Sequence, residues 1–196
     1  MRRYLTLVVT ATVLAGCAAG DDTDRDDSAR ADSPAAATTD SLGAGGDPAI
    51  RVAMRDANGR DLGTITLTDA AGGISVSGSL AGLPPGDHGM HLHMIGRCDP
   101  PGFTSAGEHW NPTTRQHGPD NPQGPHLGDL PNVTVGSDST ATVQGTTSGG
   151  TLRGTSNMLL DADGAALIIH TSRDDLRTDP SGGSGTPIAC GTISGT

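Results

Sequence analysis

Residues 48 to 196 predict an all-β domain, an antiparallel sandwich or barrel, and three observations carry that expectation. From Ile50 onward apolar side chains alternate with polar ones in short runs, the period-two pattern of a strand with one covered face. Thirty glycines and thirteen prolines in the chain supply turns between such runs. Only Phe103 and Trp110 are aromatic here, so the core is built of Val, Ile, Leu, Met and Ala, and no stretch carries the period of an amphipathic helix.

Taken in order, Ile50, Val52 and Met54 alternate, Asn58-Gly59 signals a hairpin, and Ile65 and Leu67 resume the alternation. Ile74, Val76 and Leu80 form a third run, and Met90, Leu92 and Met94 a fourth. In that fourth run His91 and His93 share the opposite face, which assigns Met90 and Met94 to core packing. Val133 to Val135, Val143 ahead of Gly145, Met158 to Leu160, Leu167 to Ile169 and Ile188 to Ile193 follow, giving eight or so strands. Two stretches break the rhythm: residues 96 to 130, rich in Gly, Pro and His, and residues 172 to 187, rich in Asp, Arg and Gly. Loops of this length inside a domain are usually functional or disordered.

Ahead of the domain, Arg2-Arg3 and the apolar run Tyr4 to Ala15 are charged at the start, too short to span a bilayer, and end in small residues. Residues 1 to 16 therefore read as an export signal that is removed, and Leu14-Ala15-Gly16-Cys17 resembles the bacterial lipoprotein box, with Cys17 lipidated. Residues 17 to 47 then form a disordered tether of Asp, Ala, Thr, Ser and Gly, with an r.m.s. reach of about 30 Å. The address implied is extracytoplasmic: exported and anchored to a membrane, on its periplasmic or extracellular face.

The chain contains no lysine, and Glu108 is its one glutamate. Its formal net charge of −10 becomes −12 once Arg2 and Arg3 leave with the signal. Nucleic acid is excluded as a partner, because phosphate binding needs a basic face.

The chemistry lies in the histidines. All seven fall between His88 and His170. His91 and His93 project side by side from one strand and His170 closes another; with one loop imidazole they suit the flattened four-nitrogen environment that Cu(II) prefers. His109, His117, His126 and Asp129 lie on one loop and supply the three nitrogens and one oxygen of a closed zinc site. Two four-coordinate groups need one shared residue, and His109 lies between them in sequence. Unrelated loop histidines, or one zinc with spare histidines, account for any single residue but poorly for the set.

Over residues 48 to 196 the chain resembles the copper/zinc superoxide dismutases. The resemblance rests on His88-Gly89-Met90-His91-Leu92-His93, Thr104 to Pro112, His117-Gly118, His126-Leu127-Gly128-Asp129-Leu130 with Asn132-Val133-Thr134, His170, Asp174-Asp175-Leu176 and Ala189-Cys190-Gly191. It implies an eight-stranded antiparallel Greek-key barrel or sandwich with two long functional loops, and conversion of superoxide to oxygen and hydrogen peroxide by Cu(II)/Cu(I) cycling. It implies copper on His91, His93, His109 and His170, the catalytic set, and zinc on the bridging His109 with His117, His126 and Asp129. Asp174 matches the aspartate linking a copper histidine to a zinc histidine, and His88 a buried non-ligand. Cys98 and Cys190 match the bacterial family disulfide, leaving Cys17 for the lipid. The resemblance leaves a homodimer open.

One position departs from the family. An arginine usually stands three residues before the second disulfide cysteine, at the mouth of the copper channel; here Pro187 does, and proline offers an anion neither charge nor donor. Arg173 and Arg177 are candidates to replace it, or ordinary solvated charges. The alternative function is therefore a dismutase-like copper/zinc-binding module with low turnover, and a purely structural domain would leave seven ligands idle.

Overall fold

The computed structural model describes residues 49–195. The expected leader, Cys17 and tether lie outside those residues.

Nine strands form, all paired antiparallel: β1 (Ile50–Asp56), β2 (Asp61–Ala70), β3 (Gly73–Ala81), β4 (Gly86–His88), β5 (Met90–His93), β6 (Val133–Val135), β7 (Thr140–Thr146), β8 (Ala165–His170) and β9 (Pro187–Ile193). Seven of them make one curled sheet in the order β5-β8-β9-β1-β2-β3-β7, and β4 pairs with β6 separately. The hairpin-linked β1, β2 and β3 with the late strand β9 beside β1 form the Greek-key arrangement. The one helical element among the described residues is a 3₁₀ turn at Thr104–Ala106.

Alternation works where one face meets water. Ile50, Val52 and Met54 of β1 are buried between exposed Arg51, Ala53 and Arg55. Asn58-Gly59 makes the β1–β2 turn, with Gly59 at φ +80 and its N–H donating to the Asp56 carbonyl at 2.9 Å. One core gathers apolar side chains from every strand except β4.

Two sequence expectations are corrected. Met158 to Leu160 is not a strand: Thr151 and Met158 form a single bridge, and Leu159 alone of the three is buried. The run has three residues and the turn formers Gly154, Ser156 and Asn157 before it, too little chain to build a ladder. Conversely, Gly86–His88 is a strand that alternation does not reveal, since it offers no large apolar residue. It is split from β5 at Gly89, and the two pair with different partners.

Strands β5 and β8 are buried along their whole length. Met90, Leu92, Leu167 and Ile169 face the main core, whereas Ala166, Ile168 and Cys190 join Phe103 and Ala106 in a second cluster on the other side. The cover is the long connection from residue 94 to 132. It pairs with the free edge of β5: the Leu92 N–H donates to Gly128 O at 2.9 Å, and the Trp110 N–H donates to Leu92 O at 2.8 Å. A Cβ on Gly128 would collide with the Leu92 carbonyl, so this close approach requires glycine. The expected Cys98–Cys190 disulfide ties the same connection to β9.

Candidate metal centre

Bridges between His91 and Asp129 and between His93 and His109 bring the loop's donors over the strand's histidines. Cross-strand pairing of β5 with β8 then brings His170 alongside. Every predicted ligand is buried: His91, His93, His109, His117, His126, Asp129 and His170.

Each imidazole on the strand side uses one nitrogen on the protein and leaves the other free. His93 Nδ1 donates to Gly107 O at 2.8 Å, His170 Nδ1 to Gly185 O at 3.0 Å, and His91 Nε2 to the Asp174 carboxylate at 2.6 Å. These outer partners fix the tautomer, so the remaining nitrogens carry lone pairs. The three remaining atoms, His93 Nε2, His170 Nε2 and His91 Nδ1, are buried with no hydrogen-bond partner. Buried polar atoms are seldom left so, and three converging in one place is the mark of a cation site. With His109 they supply four donors within 4.8 Å of one another. A planar ion with bonds of about 2 Å needs opposite ligands about 4 Å apart, which this spread accommodates.

The second group is tighter. Asp129 Oδ1 lies 2.9 Å from His117 Nδ1, 3.1 Å from His109 Nδ1 and 3.3 Å from His126 Nδ1, and His126 Nδ1 lies 3.4 Å from His109 Nδ1. A tetrahedron with bonds of about 2.0–2.1 Å has edges of about 3.3–3.4 Å, so the four atoms already outline a zinc-sized cage. His91 also lies within 4.8 Å of the donors of His109, His117 and Asp129, because it stands between the two groups. Its Nε2 is taken by Asp174, whereas His126 Nδ1 faces Asp129 directly, so His126 is the better fourth member. His109 is common to both groups.

The electrostatics suit cations. Burial, together with the neighbouring imidazoles, pushes His91 and His93 down to about 3 and His170 to about 4, so all three are neutral and ready to ligate at pH 7. Burial also opposes charge on His117, but its bonds to Asp129 and Asp174 outweigh that and raise it to about 9. Burial disfavours the charged forms of Asp129 and Asp174 too, yet their histidine and backbone donors hold both well below the usual carboxylate range. Asp129 Oδ2 accepts from the Gly118 N–H at 2.8 Å and the His126 N–H at 3.0 Å.

Asp174 joins the halves, since the same fully buried carboxylate takes His91 Nε2 and, at 3.0 Å, His117 Nε2. Sequence reasoning missed what holds it. Asn132 accepts the Asp174 N–H at 2.8 Å and donates to its carbonyl at 2.9 Å. Gly182, at φ +61, sits where a Cβ would collide with the Asp174 carboxylate. The sole signal was Asn132 within the matched motif. His88 has no place among the donors: its ring nitrogens each lie 2.8 Å from a carbonyl, of His170 and of Pro84.

A cleft of about 610 Å³ opens onto His93, His109, His126 and His170. Pro187 lies opposite His170 in the strand register but lines a separate hollow with Asp56 and Arg60. Neither Arg173 nor Arg177 lines the cleft; Arg173 lies 3.8 Å from Asp87. Among the described residues the one arginine that does is Arg115, which sequence reasoning passed over, beside Glu108 and Asp179. Met94 also lines the cleft and is 47% exposed, which corrects its assignment to the core. Strand β5 ends at His93, and alternation has no force beyond the last strand residue.

The profile of the family described as copper/zinc superoxide dismutase (SODC) matches residues 62–193. Copper-zinc superoxide dismutase 1 of Aquifex aeolicus is 39% identical over 137 residues, 69% of this chain and 81% of the relative. Superoxide dismutase-like protein YojM of Bacillus subtilis is 35% identical over 197 residues, 99% of this chain and 96% of the relative. The crystal structure of a SOD-like protein from Bacillus subtilis superposes with a TM-score of 0.70 at 38% identity, covering 73% of this chain and 97% of that one. The chain belongs to the copper/zinc superoxide dismutase family, and its cofactors are copper and zinc.

Proposed function

We propose that this chain is an extracytoplasmic superoxide dismutase, exported and held at a membrane by lipid on Cys17. The observation that carries the catalytic part is the convergence of three unpartnered imidazole nitrogens beside His109. His91 through Nδ1, His93 and His170 through Nε2, and His109 would hold copper. His109, His117 and His126 through Nδ1, with Asp129 Oδ1, would hold zinc. Bound copper supplies a one-electron Cu(II)/Cu(I) couple, by which one superoxide leaves as dioxygen and the next, with two protons, leaves as hydrogen peroxide.

The protein's part is positional. Gly107 O, Gly185 O and Asp174 lock three ring orientations, and burial keeps those rings unprotonated. His109 holds its Nδ1 on the zinc side, which leaves Nε2 as the atom able to bind on the copper side or carry a proton. Glu108, Asp179 and Arg115 set the field that an incoming anion meets in the cleft.

A second reading, a dismutase-like copper/zinc-binding module with low turnover, is favoured by Pro187 and by a cleft whose acids outnumber its one arginine. Metal analysis paired with a superoxide assay on one purified sample separates the two. One copper and one zinc per chain with fast turnover supports the enzyme, and the same metals without turnover support the module. Binding of zinc but no copper, even with copper in excess, sinks both. For the anchor, mass spectrometry of membrane-extracted protein should find Cys17 acylated at the mature N-terminus; a mature chain lacking Cys17 overturns it.

A further inference from the structure

Met94 is the one thioether in the cleft among the described residues, and its surroundings are not those of a core residue. Among the described methionines Met54 and Met90 are buried in the core, while Met94 and Met158 are exposed at 47% and 38%. Only Met94 lines the cleft into which the histidines open. It is one Cα step, about 3.8 Å, beyond His93. The Met94 N–H is fixed to Glu108 O at 3.0 Å, so its backbone is held by the residue preceding His109. A side chain left half exposed gains less from packing there than the buried Met54 and Met90 do in the core. Inside the same cleft His93 Nε2 and His170 Nε2 are buried and without partners.

We propose that Met94 is the capture ligand for copper in its Cu(I) form, taking the ion at the cleft mouth and passing it to His93 and His170. Soft thioether sulfur binds Cu(I) in preference to harder ions, whereas Glu108 and Asp179, its oxygen-bearing neighbours, have no such preference. An unbranched side chain with rotatable bonds can follow the ion inward, so the sulfur hands over by ligand exchange: one S–Cu contact breaks as imidazole N–Cu contacts form, with no electron transferred. The preference runs one way, because neutral imidazoles outcompete a single thioether once reached. This inference rests on the reading that the histidine cluster holds copper.

The test is the rate of copper uptake by the zinc-loaded protein, followed without oxygen by stopped-flow loss of colour from the Cu(I)–bicinchoninate complex. A parallel arm supplies Cu(II) as its glycine complex. Met94→Leu keeps size and apolarity but removes sulfur. It should slow Cu(I) uptake on the order of tenfold, the effect of losing one supporting metal contact, while Cu(II) uptake and the final copper content stay at wild-type values. Met158→Leu, also exposed but outside the cleft, should change neither rate. Equal Cu(I) rates for Met94→Leu and wild type, or equal slowing of both oxidation states, overturns the proposal and leaves the dismutase reading standing. Wild-type protein that takes up copper from neither complex overturns both.

Discussion

Asp174→Asn should weaken copper far more than zinc, and the geometry says why. The carboxylate serves three donors through two oxygens: Oδ1 takes the Leu176 N–H at 2.6 Å, Oδ2 takes His91 Nε2 at 2.6 Å, and His117 Nε2 lies 3.0 Å from both. Asparagine has one oxygen. Placed at Oδ1 it keeps His117 and the Leu176 N–H; flipped, it keeps His91 and His117 but sets its NH₂ against the Leu176 N–H, a backbone donor that can neither rotate away nor shed its proton, so the first orientation wins. His91 Nε2–H then faces an N–H. Copper needs His91 Nδ1 free, which forces the proton onto Nε2 and leaves that buried donor without an acceptor, at about 1–3 kcal/mol. The equivalent loss is roughly 10- to 100-fold in copper affinity, the range seen when outer partners of metal ligands are removed. His117 keeps an oxygen partner, so zinc should fall by less than about tenfold. Competition titration of each metal against a chelator reads both constants. Copper affinity within about twofold of wild type, or zinc weakened more than copper, refutes the argument.

Three further outcomes follow from the same structure. Cys98→Ser with Cys190→Ser opens a loop of 92 residues' separation and should lower stability by about 4 to 5 kcal/mol on the chain-entropy account, read as a lower denaturant midpoint; an unchanged midpoint counts against it. In the metal-free protein the neutral His91, His93 and His170 bind fewer protons folded than unfolded between about pH 4 and 6.5, so stability should fall on acidification through that window by about 1.4 kcal/mol per pH unit per histidine. His117, raised to about 9, stabilises fully below its unfolded value and loses that contribution as pH climbs to 9, so denaturant midpoints should peak near neutrality rather than run flat. Arg115→Ala should slow dismutation at low salt by about two- to threefold, the effect of one screened unit charge, and the deficit should shrink as salt rises. Arg173→Ala should leave the rate alone, and a rate lowered equally by both would remove any special role for Arg115.

What could be read from the sequence was what a local rule forces. Period two is imposed on β1 to β3 by water on one side and core on the other, so Ile50, Val52, Met54 and Val76 declare themselves. The donors declare themselves because a metal needs particular atom types, and His91 and His93 two residues apart share a face only in a strand. Where the rule stops, so does the reading. The alternation that points Met94 to the core ends one residue earlier, and Met158 to Leu160 has apolarity without a ladder. Gly86–His88 carries no large apolar side chain to betray it.

The cleft mouth was out of reach for a different reason. Arg115 comes from the first long connection and Asp179 from the second, and both line the cleft although 64 residues separate them. Their meeting depends on how those connections pack: the His117 N–H donates to Asp179 at 2.7 Å and the Asp120 N–H to Leu176 O at 3.0 Å. No periodicity encodes such contacts. Most donors escape this dependence: His91, His93 and His170 are fixed to β5 and β8, and His109 and Asp129 pair against the β5 edge, while His117 shares it through Asp179. Sequence therefore specifies the metals better than it specifies the approach to them. Substitutions at Arg115 or Met94 can alter what reaches the site and how fast while leaving every ligand in place, whereas Asp179, which accepts the His117 N–H, ties the approach to the zinc side of the cage.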